Sequence, residues 1–178
     1  MYVLLLLGTI LIAGNQSDGW QVLKPEQGHF QILAPGKMRS SVREIQTDIG
    51  KVDYHSLLHQ RLDDSTVTFT FIVSYYKLNE ATIAAMDNAL EADLLKATVL
   101  QSAHAIGGDV ILEDDITYQG LHPGKYWRIH TTGDELVIKS RAYLSDEYFY
   151  SIQVAVHKAQ ALSPDIDRFL DSFRILES

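Results

Sequence analysis

The sequence predicts an α+β sandwich, an antiparallel sheet of about six or seven strands with one long inserted helix and a C-terminal helix, in α/β/α layers. Three observations lead there: turn signals recur at strand-length intervals, the apolar period becomes helical once in mid-chain, and it becomes helical again behind a capping signal near the end. The 178 residues are 46% apolar and contain no cysteine. That size suits one core, and the missing thiols exclude disulfides, thiol catalysis and Cys-type metal sites.

The first segment, Val3 to Gly14, is uncharged over about 12 residues, short of the roughly 20 that a membrane-crossing helix needs. It reads as the core of an export signal over 1–19, followed by a single domain over 20–178 with no integral membrane span; a buried N-terminal strand is the alternative. Ile12-Ala13-Gly14 resembles the end of a lipoprotein signal, but Asn15 stands where the lipidated cysteine would be. Only Asp18 among the charged residues would leave with the segment, so the mature protein stays acidic.

His29 to Leu33 reads as a strand stopped by Ala34-Pro35-Gly36, and Met38 to Thr47 and Lys51 to Leu58 as two strands around Asp48-Ile49-Gly50. Thr66 to Tyr76 alternates most clearly, with Val67, Phe69, Phe71, Val73 and Tyr75 on one face and Thr66, Thr68, Thr70 and Ser74 on the other. From Thr82 the apolar residues Ile83, Met86, Leu90, Leu94 and Ala97 follow helical spacing behind Asn79 as N-cap, which predicts one long helix ending near Val99. Gly107-Gly108 then reads as the end of the loop after it. Val110 to Gln119, Lys125 to Thr132, Glu135 to Leu144 and Tyr148 to Val156 form a predicted meander. Ser163-Pro164-Asp165, a cap followed by proline and an acid, opens a last helix whose stripe of Ile166, Phe169, Leu170 and Phe173 closes on the sheet.

Turn chemistry sets the register of the meander. A two-residue hairpin at Gly133-Asp134 places Thr132 opposite Glu135, hence Arg128 opposite Lys139 and Tyr126 opposite Arg141. Alternation then favours a three-residue loop at Ser145-Asp146-Glu147, with Leu144 opposite Tyr148 and Ile138 opposite Val154, because an even loop would set the apolar row against Ser151 and Gln153. The result is a basic and aromatic face of Tyr126, Arg128, His130, Lys139, Arg141, Tyr143, Ser151 and Gln153, backed by an apolar one. Like charges opposed across a ladder repel. Either acids of the same chain, from Glu113-Asp114-Asp115 or a covering helix, neutralise this face, or it receives an acidic protein partner or an anionic small ligand. Tyr126, Arg128, His130, Lys139 and Arg141 are the candidate binding residues, with Arg128 and Arg141 supplying planar donor forks.

Other constellations are weaker. His55 and His59 share a strand face but lie about 13 Å apart at 3.3 Å per residue, too far to share a metal even with Asp63 or Asp64. Glu113-Asp114-Asp115 lacks the ligand alternation and glycine of a calcium loop. No nucleophile elbow, HExxH, P-loop or dinucleotide fingerprint occurs, so neither a catalytic residue, a metal site nor a cofactor is predicted. The net charge of -8 disfavours nucleic acid as a partner.

Gly28 to Gly36 (GHFQILAPG), Thr47 to Lys51 (TDIGK), Gly120 to Gly124 (GLHPG) and Phe169 to Leu176 (FLDSFRIL) together resemble exported bacterial proteins of the PsbP-like fold, shared with the extrinsic photosystem II subunit and a Ran-binding nuclear-import factor. The resemblance spans nearly everything after Trp20. It implies a central antiparallel sheet between helices and a non-catalytic accessory or assembly role outside the cytoplasm, in the periplasm or cell envelope. The functional expectation is therefore a non-enzymatic exported protein that binds another protein through a sheet face. The alternatives are a small-ligand or metal-binding accessory with a pocket between sheet and helix, and a hydrolase assembled from distant Ser, His and Asp residues.

Overall fold

A computed structural model describes residues 19–47, 49–63, 66–131, 133 and 136–176, with the backbone alone at 63 and 67. The export segment up to Asp18, the Asp48 turn position, Asp64, the side chains of Asp63 and Val67, and the Thr132–Glu135 hairpin pair lie outside that set.

Strand β1 (Gln21–Leu23) and β2 (Phe30–Ala34) are followed by β3 (Arg39–Thr47), β4 (Gly50–Asp63) and β5 (Thr66–Lys77). Helices α1 (Glu80–Ala85) and α2 (Asn88–Ile106) precede the meander of β6 (Gly108–Tyr118), β7 (His122–Thr131), β8 (Leu136–Leu144) and β9 (Tyr148–His157), and α3 (Pro164–Asp171) leads into β10 (Arg174–Ile175). Seven strands form one antiparallel sheet in the order β3-β4-β5-β9-β8-β7-β6, so the predicted meander docks through β9 onto β5. The short strands β1 and β10, which the sequence reading missed, flank β2 in a second sheet of three.

The large sheet is buried on both faces. On one, Phe71, Val73, Tyr150, Ile152 and Val154 meet Phe30 and Ile32 of β2 and Ile166, Phe169 and Leu170 of α3. On the other, Trp127, Ile129, Ile138 and Leu144 meet Leu95 and Val99 of α2. Phe69, Phe71, Val73 and Tyr75 share the α3 face as their alternation predicts. Gly124 permits the close approach of β7 to β8, since a Cβ there would run into the Ala142 carbonyl and the Tyr143 ring.

Both predicted helix starts are correct. The Asn79 side chain accepts from the Thr82 N–H, and Ser163 caps α3 with Pro164 in its first turn. The single long helix is in fact two: Met86 is extended and the Asp87 side chain accepts from the Leu90 N–H, capping a fresh start. The second runs past Val99 to Ile106, where Gly107 at φ 61° closes it in the left-handed conformation, so this glycine is the helix cap rather than the end of a loop.

One register expectation holds and the other fails. Arg128 faces Lys139 and Tyr126 faces Arg141, as the Gly133 turn implies. Between β8 and β9, however, Leu144 pairs with Phe149, Ser140 with Gln153 and Ile138 with Ala155, a slip of one residue from the expected pairing. The connection between that last pair is the even one, closed by the Ser145 N–H on the Tyr148 carbonyl at 2.8 Å and by the Tyr148 N–H on the Ser145 Oγ at 3.1 Å. Alternation chose wrongly because it assumed a polar face and an apolar one, whereas β8 buries Val137 and Tyr143 on one side and Ile138, Ala142 and Leu144 on the other.

Candidate binding surface

The slip redistributes the predicted face. Tyr126, Arg128, His130, Lys139, Arg141 and Tyr143 do share one side of β7 and β8, but Ser151 and Gln153 lie on the opposite side with Ala142 and Ser140. Nor is the cationic side the reverse of the core. The α3 face carries both, in rows such as Leu112–Arg128–Lys139–Val154–Phe71 and Asp114–Tyr126–Arg141–Ile152–Val73. Each basic residue sits on β7 or β8, toward the β6 edge of the sheet.

Within that strip the charges fare differently. Arg141 is neutralised by the covering helix: its Nη2 donates to Asp171 Oδ1 at 2.6 Å and its Nη1 to the Leu170 carbonyl at 3.2 Å. Tyr126 and Arg141 line a cleft of about 410 Å³ that also holds Asp114 and Asp167 and is therefore mixed in sign. Burial raises the Tyr126 phenol above its ordinary range, against the pull of Arg128 and Arg141. His130 faces Asp109 across the ladder. The acids Glu113 and Asp115 do not serve this face at all; they hold Lys125 on the other side at 2.7 and 2.9 Å, and hydrogen bonds to Asp115 and Glu113 lift that ammonium above its usual range.

Arg128 and Lys139 are what remains. They oppose each other directly on half-buried positions, with no ion pair to a described residue, and the Arg128 Nε is shut off from water without an acceptor. The register of the Gly133 hairpin was enough to bring these two together from the sequence. The ion pairs Arg141–Asp171 and Arg61–Asp165 to α3 were not visible there, because they join elements far apart in the chain.

The histidine pair of β4 is structural. His55 stacks on Tyr75 at 4.7 Å, and His59 lies 6.3 Å from the Phe71 ring with its Nδ1 3.0 Å from the Lys37 carbonyl. Across the sheet, a cleft of about 290 Å³ opens between α2 and the strands, where the sequence reading allowed for a pocket.

No protein-family model and no curated protein matches the chain. Among solved structures it is similar to cyanobacterial PsbP (CyanoP) from Synechocystis sp. PCC 6803, with a TM-score of 0.58 over 95% of this chain and 98% of that one at 12% identity. A Pseudomonas aeruginosa protein of unknown function aligns at a TM-score of 0.41 and 12% identity over 79% of this chain and 84% of its own. The first likeness establishes the PsbP-like fold. No helix among the described residues is long and apolar enough to cross a membrane.

Proposed function

We propose that this chain is a non-catalytic, exported accessory protein whose domain over 20–178 receives a carboxylate-bearing surface of an acidic protein partner on the strip at Arg128 and Lys139. The observation that carries the reading is that Arg128 and Lys139 face each other directly across the ladder, both half-buried and neither ion-paired to a described residue. A carboxylate arriving there relieves the repulsion of the pair and meets a planar donor fork, the geometry in which charge-assisted hydrogen bonds are strongest. The chain as a whole carries a net charge of -8 and repels acidic partners elsewhere, so attraction is confined to the strip.

Several hydroxyls and one imidazole are engaged in holding backbone, which fits a binding role. Ser172 Oγ donates to the Phe169 carbonyl and accepts from the Leu33 N–H, Ser163 and Ser145 accept from backbone N–H groups, and His157 Nδ1 accepts from the Ala159 N–H.

An oligoglutamate peptide titrated into isotope-labelled protein is expected to move the amide resonances of β7 and β8, more weakly as salt rises. The Arg128→Gln/Lys139→Gln variant should lose these shifts, and Lys51→Gln, at the far end of the sheet, should keep them. Undiminished binding by the double variant, or shifts spread over all surface lysines, overturns the reading.

A further inference from the structure

On the opposite face from Arg128, we infer that the cleft between α2 and the sheet binds a small uncharged molecule with a flat apolar body and a hydrogen-bonding edge. Three features of the lining lead to that class. Its floor is aromatic: Tyr76 stacks on Phe149 with ring centroids 4.9 Å apart, and Tyr54 lies 6.2 Å beyond Tyr76 at a 34° tilt. Its walls are apolar and come from two elements, Leu94 and Ala97 of α2 and Ile45 and Ile49 of the β3–β4 hairpin. A ring-sized body can therefore lie on the floor between them, in a volume of about 290 Å³ at the small end of ligand pockets.

The polar groups decide the rest. Among the described residues, no Asp, Glu, Lys, Arg or His lines the cleft, so a charged ligand would shed water without a counter-charge from them. The hydroxyls of Thr98 and Ser102 donate to helix carbonyls, Thr98 to Leu94 at 2.9 Å and Ser102 to Thr98 at 2.6 Å, which leaves their oxygens as acceptors. Gln153 donates its amide N–H to Ser151 at 3.3 Å, leaving Oε1 without a partner among the described residues. With Gln101, Ser151 and the second amide N–H of Gln153 also in the lining, the groups left over include donors as well as acceptors, and they ask for a polar, hydrogen-bonding edge.

A further orphan lies alongside. Ser140, fully buried, is paired across the ladder with Gln153, and its Oγ has no hydrogen-bond partner. A buried polar atom in this state is the exception in folded proteins, and here it adjoins Gln153 of the lining.

The class is tested with four probes of one size: phenol, toluene, benzoate and benzylamine. Phenol, neutral and bearing a donor, is expected to give saturable shifts at the amides of 94–102 and 149–153. Toluene and the two ions should bind at least roughly tenfold more weakly, the factor that a hydrogen bond or an unpaired charge carries. Ala97→Trp, which fills the cleft from a half-buried helix position, should abolish the phenol shifts. Gln153→Leu should weaken them about five- to tenfold, and it serves as the second variant should the tryptophan disturb α2 by circular dichroism. Equal binding of phenol, toluene and benzoate, shifts outside the cleft, or phenol binding undiminished in both variants overturns the inference. Arg128→Gln/Lys139→Gln should leave phenol binding intact, so this site and the basic strip stand or fall separately.

Discussion

The two helices that cover the sheet make opposite use of their length. The eight residues of α3 bury Ile166, Phe169 and Leu170 on one stripe, whereas the nineteen of α2 bury only Leu95 and Val99 and leave Leu100 and Ile106 exposed. The core beneath α3 is accordingly aromatic: Phe30 touches Tyr75, Tyr150 and Phe173, and Phe71 touches Trp20, Phe69 and Phe169, all within 6.0 Å between ring centroids. The α2 face carries hydroxyls, an amide and an open cleft. The fold packs one face tightly beneath α3 and leaves a cleft beside α2 on the other, since a helix held by few side chains leaves room beside it.

The largest expected effect sets the core of one face against the cleft of the other. Phe71→Ala should cost about 3–5 kcal/mol, the range for a fully buried aromatic, while Leu94→Ala, at the water-accessible rim of the α2 cleft, should cost under about 1 kcal/mol. Chemical denaturation reads both, and equal losses would erase the distinction between the faces.

Of intermediate size is the alkaline response of the aromatic face. Burial pushes the Tyr143 and Tyr150 phenols above the ordinary value of 10.0, and the Tyr150 hydroxyl donates to the Gly28 carbonyl at 3.0 Å. The folded state therefore holds these protons more tightly than the unfolded chain. Their contribution is complete below about pH 10 and is lost as pH rises beyond it, because the unfolded chain ionises first. Tyr150→Phe should cost roughly 1 kcal/mol at neutral pH and flatten the fall in stability above pH 10, as followed by denaturation at several pH values with tyrosinate absorbance. A steepening would contradict this sign.

The smallest contrast is between two serines. Ser172 bridges the Leu33 N–H at 2.9 Å and the Phe169 carbonyl at 2.7 Å on the α3 side, so Ser172→Ala should lose about 1 kcal/mol. Ser140 has no partner, so Ser140→Ala should be neutral or raise the melting temperature by a few degrees. Destabilisation at Ser140 would mean that its hydroxyl is satisfied in solution.

Much of the fold was legible in local chemistry. Asn79, Ser163-Pro164 and the strand alternation of Thr66 to Tyr76 each act over a few residues, and each appears in the structure where the sequence places it. The restart at Asp87 was misread because the apolar period runs on through it: Ile83, Met86, Leu90 and Leu94 keep helical spacing whether or not the backbone breaks. Of the candidate site, the union of Arg128 with Lys139 followed from the turn, and the acids that would join them did not. Ser151 and Gln153 were assigned to the basic face and belong to the cleft. The hint lay in polar residues inside strands that are otherwise apolar on both sides.

The sequence by itself determined the helix starts behind Asn79 and Ser163 and the pairing of β7 with β8 across the Gly133 turn, since caps and turns are settled by atoms within a few residues of one another. The tertiary structure alone decided the β8–β9 register, the neutralisation of Arg141 by Asp171 and the incomplete cover of α2. These depend on which surfaces lie above and below the sheet. A strand buried on both sides has no polar face for alternation to mark, so only the packing of distant segments selects its pairing.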